Sequence, residues 1–206
     1  QIFYSRGLVS SADLTEVVLY RTRASVAEPF GPAQTLPELA NVCAPNQHVN
    51  PDISEDGLTL YVTCTADAPE GMSEGQSPLR VARRANPSGS FTLDTAPIGT
   101  VFASAGLSPD ELTAYTGGEI WETAPQMFVR ASKTAMFGAP QAVPGLTEPL
   151  NSPDISVDGL TLFGSGSAAD ARQSVVKRAS RTSTAQPFGA LAGLDFGMPT
   201  LSVGAP

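Results

Sequence analysis

Residues 51–64 read PDISEDGLTLYVTC, and the structure this stretch takes decides the fold. Asp52 to Ser54 is a short extended run, Asp56-Gly57 supplies the positive-φ corner of a tight hairpin, and residues 58–63 alternate as a half-buried strand does. The stretch therefore predicts two neighbouring strands of a small antiparallel sheet. It returns as SPDISVDGLTLFGS over 152–165 and, more altered, as LSPDELTAYTGG over 107–118. Written head to tail, LSVGAP (201–206) and QIFYSR (1–6) match ISEDGLTLYVTC without a gap. Leu201 then falls on Ile53, Ser202 on Ser54, and Ile2-Phe3 on Leu60-Tyr61.

After each hairpin a third strand carries a second signature: VVLYRTRAS (17–25), LRVARRAN (79–86), MFVRAS (127–132) and VVKRAS (175–180). The repeated arginines are read as Arg23, Arg84, Arg130 and Arg178. A few residues later Phe30, Phe91, Phe137 and Phe188 open a fourth strand. The repeated serines Ser54, Ser108, Ser156 and Ser202 set a period of 46 to 58 residues, counting the last interval through the chain ends. Four-stranded units of this period predict an all-β, four-bladed β-propeller, because one small sheet buries both faces only when neighbours stack around an axis. The expected blades are 1–40 plus 196–206, 48–98, 101–146 and 149–195, in one domain over 1–206. The C-terminal strand joins the N-terminal strands and leaves no open edge, so the matched ends are expected to finish one fold.

The Pro-Asp-Ile-Ser-x-Asp-Gly-Leu-Thr-Leu-Tyr/Phe pattern, with its Arg-Ala-Ser strand and Phe-Gly segment, resembles the WD-like "Pro-Asp" propeller repeat of TolB-type periplasmic and other bacterial secreted proteins. The resemblance spans essentially the whole chain and implies an interaction scaffold more than any chemistry. Departures stand at Gly106 and Thr200, which replace the motif aspartate, and at Asp110-Glu111 and Gly204-Ala205, which replace the Asp-Gly turn. Four blades are also fewer than in the TolB type, so its partner surface does not carry over.

Composition narrows the classes. Glycine (19) and proline (18) are high and charged residues are only 16% of the 206, as suits short strands joined by turns. No run approaches the ~20 apolar residues of a membrane span. A net charge of -8 argues against a nucleic-acid backbone as partner. Cys43 and Cys64 lack the further ligands of a structural zinc site and fall at the same end of one repeat, which favours a disulfide and a secreted or periplasmic location.

Strand order puts the loops between second and third strands on one face together with the blade-to-blade loops. That face holds the irregular segments 38–49, 65–78 and 117–126, and collects acids including Asp13, Glu16, Glu38, Asp67, Glu70, Glu119 and Glu122. His48, Asp67, Glu70, Glu119, Trp121 and Glu122 are the candidate ligand-binding residues, against the alternative of a merely solvated acidic face. Trp121 and Tyr115, with Met72 and Phe102, offer a stacking surface there unless they wedge between blades.

On the inner strands, Asp52 and Asp154 occupy equivalent positions in opposed blades, with Asn50, Ser104, Asn151 and Ser152 nearby. Such oxygens around a tunnel suit calcium or another hard cation, and four-bladed propellers of the hemopexin type, similar in blade number only, often hold axial ions. The alternative is that each aspartate stitches blades together through backbone hydrogen bonds. His48, the only histidine, has no nucleophile motif around it, so no catalytic residue is nominated. The sequence reads as a monomeric, non-catalytic extracytoplasmic binding module for a protein or glycan. Its rivals are a carbohydrate hydrolase with funnel carboxylates and a cation-stabilised domain of a larger surface protein.

Overall fold

The structure, a computed structural model, describes residues 1–9, 14–43, 47–66, 76–102, 104–117, 123–167 and 174–194. Four small antiparallel sheets stand as the blades of a four-bladed β-propeller, and within each the chain meanders from the axis outward. The first holds β1 (Ile2–Val9), β2 (Leu14–Arg21) and β3 (Gln34–Thr35). The second holds β4 (Gln47–Ile53), β5 (Thr59–Ala66), β6 (Gln76–Arg83) and β7 (Thr92–Leu93), and β8 (Thr100–Phe102) extends it by pairing with the far end of β6. The third is β9 (Ala105–Leu107), β10 (Thr113–Thr116), β11 (Gln126–Val129) and β12 (Gln141–Ala142). The fourth is β13 (Asn151–Ile155), β14 (Thr161–Ser167), β15 (Ser174–Ser180) and β16 (Ala192–Gly193). Around the axis β4 packs against β1 and β9, and β9 against β13. The expected ring-closing strand, 201–206, lies outside the described residues.

The repeated serine and aspartate build the hairpin. Ser54 Oγ donates to Asp56 Oδ1 (2.7 Å) and accepts the Thr59 N–H (2.9 Å), while Asp56 Oδ1 also accepts the Leu58 N–H (2.9 Å). Ser108, Asp110 and Ser156, Asp158 repeat the same three bonds, which explains why these two side chains recur at this spacing. The corner residue takes φ +71° at Gly57 and +70° at Gly159, as the motif predicts. In the altered copy Glu111 accepts φ +60°, a conformation that costs a non-glycine residue on the order of 1 kcal/mol.

The core divides into one apolar cluster for each described blade interface. In β5 the side chains alternate between two of them: Leu60 and Val62 join Val18, Leu39 and Phe91 against the first blade, while Tyr61 joins Leu79, Phe128 and Phe137 against the third. All three are essentially inaccessible, so the expected half-buried strand is buried on both faces. Tyr115, Leu150, Leu162 and Phe188 fill the third interface.

Each blade carries an arginine stacked on the aromatic seven residues later. The guanidinium lies 4.6 Å from the ring centre for Arg23 and Phe30, 4.5 Å for Arg84 and Phe91, 4.7 Å for Arg130 and Phe137, and 4.3 Å for Arg181 and Phe188. Three of them also donate Nε to the corner carbonyl of their own hairpin: Arg84 to Gly57 O (2.7 Å), Arg130 to Glu111 O (2.8 Å) and Arg181 to Gly159 O (2.9 Å). This corrects the assignment of Arg178, which instead pairs within the ladder opposite Phe163 and Ala192. The Arg-Ala-Ser string matched there, but the constant distance to the phenylalanine identifies Arg181.

Candidate functional site

Asp52 lies at a junction between inner strands. Its Oδ1 accepts the Ile53 N–H (2.8 Å) and its Oδ2 the Leu107 N–H of the next blade (2.7 Å), so the carboxylate ties β4 to β9. Burial pushes Asp52 up to about 7; the Leu107 bond opposes the shift and the nearby Asp154 charge adds to it. Asp154 Oδ1 likewise accepts the Ile155 N–H (2.8 Å), and burial raises this carboxyl too. The residue matching Leu107 one blade further on is Leu201, outside the described residues.

Gly106 replaces the motif aspartate in the third blade because the fourth crowds it. A methyl group there would lie 2.5 Å from Pro153 O and 2.8 Å from the Asp154 Cα. The two aspartates that remain line one axial cavity of about 360 Å³, together with Gln1, Ile2, Phe3 and Leu107. Glu55, Pro109 and Val157 also line it, which opens the funnel toward the hairpin turns rather than toward the irregular loops. Asn50 and Ser152, proposed as companions of the aspartates, are not part of this lining. Ser152 sits at φ +46° in an irregular stretch of the β13 ladder. Ser104 Oγ is buried with no protein hydrogen-bond partner, and Ser104 is not part of this lining either. Among the described residues no group of three or more His, Cys, Asp and Glu side chains has metal-binding spacing.

On the loop face, His48 Nδ1 lies 2.7 Å from Glu16 Oε1, and Glu16 Oε2 accepts the Val49 N–H (2.8 Å). The pair joins β2 of the first blade to β4 of the second and leaves the imidazole partly exposed. Cys43 and Cys64 form the expected disulfide, with 5.4 Å between their Cα atoms. It fastens the 38–49 segment to β5, and Leu39 and Val42 sink into the core beside it. Glu38, the acid of that segment, is exposed, and its Oε1 accepts the Phe91 N–H (2.9 Å), tying the first two blades together. Tyr115 and Phe102 are buried between blades, Tyr115 edge-on to Phe188 at 6.2 Å and Phe102 to Phe128 at 5.6 Å. Asp67, Glu70, Met72, Glu119, Trp121 and Glu122 lie outside the described residues.

No family profile and no curated protein matches the chain. Among solved structures it is similar to TolB. The crystal structure of TolB from Acinetobacter baumannii matches over 92% of this chain at 12% identity, with a TM-score of 0.47. This chain spans 40% of that one. Among the described residues no helix is long and apolar enough to cross a membrane.

One polar cluster was not anticipated from sequence. Between the second and third blades the Tyr61 hydroxyl donates a short bond to Glu111 Oε2 and accepts from Arg130 Nη2 (3.0 Å), while Lys133 Nζ reaches Glu111 Oε1 at 2.5 Å. Tyr61, Glu111 and Arg130 are all buried. Burial, then the Glu111 bond, raises the Tyr61 phenol above its ordinary range. Its members stand in the sequence: Glu111 replaces the corner glycine that Gly57 and Gly159 supply in the neighbouring hairpins, and Lys133 follows Arg130 by three residues where Thr184 follows Arg181.

Proposed function

We propose that the protein is a non-catalytic, extracytoplasmic interaction module of the WD-like Pro-Asp repeat type, monomeric, with its loop face as the contact surface for a protein or glycan. That face comprises 38–49, 65–78 and 117–126. The observation that carries the reading is the Cys43–Cys64 bridge, which clamps an irregular segment onto an otherwise repetitive scaffold at that face. A loop held in place before contact loses less freedom on binding, so stapling there favours recognition. The same bridge supports an oxidising compartment. His48 and Glu16 add a second tie beneath the segment.

The test is a labelled protein applied to glycan and peptide arrays, beside a variant carrying Trp121→Ala, Glu119→Ala and Glu122→Ala and another carrying Asp67→Ala and Glu70→Ala. The reading predicts hits that either variant loses while its melting temperature stays at the wild-type value. Hits that survive in both variants would move the contact surface off the loop face.

A further inference from the structure

The three described blade interfaces share one seat, and only one of them leaves it open. In each, the arginine of the outer blade reaches past its hairpin corner toward an aromatic ring of the blade before. Between the second and third blades the seat holds the Glu111 carboxylate, bonded to the Tyr61 hydroxyl and paired with Lys133. Between the first and second, Phe3 takes the place of the tyrosine and Gly57 that of the glutamate, and Gln1 Oε1 supplies the acceptor, 2.6 Å from Arg84 Nη2. Between the third and fourth, Tyr115 and Arg181 are present, but Gly159 stands where Glu111 does and Thr184 where Lys133 does. Among the described residues, the Arg181 guanidinium then donates only Nη2 to the Tyr115 hydroxyl, at 3.4 Å, besides the Nε bond to its corner.

A cavity of about 540 Å³ lies at that third seat, lined by both Tyr115 and Arg181. Asp110 and Asp158 also line it, each already accepting a serine hydroxyl and a backbone N–H in its own turn. Met127, Val129 and Val157 give it apolar walls, and Val157 is largely exposed. A lone anion at Arg181 would face two carboxylates. A ligand bearing a cation as well matches the whole set, just as Glu111 arrives with Lys133 in the neighbouring interface.

We propose that this cavity is a binding site for a carboxylate carrying a nearby ammonium group, of amino-acid or short-peptide size. The carboxylate takes the Tyr115 hydroxyl and Arg181 guanidinium, and the ammonium faces Asp110 and Asp158. The site opens on the hairpin-turn side and is independent of the loop-face reading above. The experiment is a calorimetric titration with free L-alanine, L-glutamate and L-lysine, and separately with acetyl-Glu-Lys-amide. Saturable binding of the free amino acids identifies a small zwitterion, and binding of the peptide alone identifies a side-chain pair from a protein. Arg181→Gln and Tyr115→Phe should each weaken binding about tenfold or more. The double variant Gly159→Glu with Thr184→Lys should fill the seat from within and abolish binding with the fold kept, since Glu111 adopts the same positive φ in its own hairpin. Absence of saturable binding by the wild type to all four probes at millimolar concentrations, or binding undiminished in Tyr115→Phe and in the double variant, would overturn the proposal.

Discussion

Asp52 releases its proton at about 7 in the folded chain, against 3.8 ordinarily. Between those values the folded protein holds a proton that the unfolded chain has lost, so this residue's contribution to stability falls as pH rises through the window. Asp154 shifts the same way. Asp56 and Asp158 shift downward, chiefly through their serine hydroxyls, and their contribution is lost as pH falls through the acid range. Urea midpoints measured at about pH 5 and about pH 8 should therefore decline for the wild type, and Asp52→Asn should flatten that decline. An unchanged slope in the variant would remove Asp52 as its source. At Gly106, alanine should cost about 3 kcal/mol in equilibrium unfolding, because its methyl group would meet the Pro153 carbonyl. The aspartates were legible in sequence as a signature, and the two competing roles could be named. What was not legible is that Asp52 bonds Leu107, 55 residues away, since that depends on how closely two inner strands approach.

The repeated hairpin and the arginine stacked on phenylalanine are the two devices that each blade reuses, and their worth differs with burial. Arg130 is 3% exposed and makes bonds to Glu111 O, Lys133 O and Tyr61, whereas Arg23 is exposed and donates to Val26 O. Arg130→Lys should cost about 2 to 3 kcal/mol and Arg23→Lys under about 1, by chemical denaturation. Equal costs would mean that stacking alone sets the value. Glu111→Gly would relieve the corner backbone but leave Tyr61 and Arg130 without their buried carboxylate, a net loss of about 3 kcal/mol. Strand order, hairpin corners and the disulfide were readable because they rest on local turn chemistry and a repeated spacing. The register of the fourth arginine was misread because VVKRASRTS offers two arginines, and only the seven-residue distance to Phe188 separates them. The polar seat between blades was missed because Tyr61, Glu111 and Lys133 come from two blades and meet only when the sheets stack.

At the scale of the molecule, stability rests on interfaces between blades rather than on any one sheet. Leu60, Tyr61 and Val62 show this, each buried and facing a different neighbour from the next residue. An open ring would expose one such interface, so closure governs the whole. Removing the Cys43–Cys64 bridge with Cys43→Ser and Cys64→Ser should cost roughly 3 kcal/mol in the chain-entropy model, without opening the ring. Ring closure was read from the match of 201–206 to residues 53–58, a repeat argument that needs no knowledge of contacts. The most direct test is the melting temperature of the protein with 201–206 deleted, compared with the full chain. If that segment supplies the inner strand of the first blade, deletion removes several kcal/mol and lowers the melting temperature by roughly 10 °C or more. An unchanged melting temperature would contradict a closed four-bladed ring built from both ends of the chain.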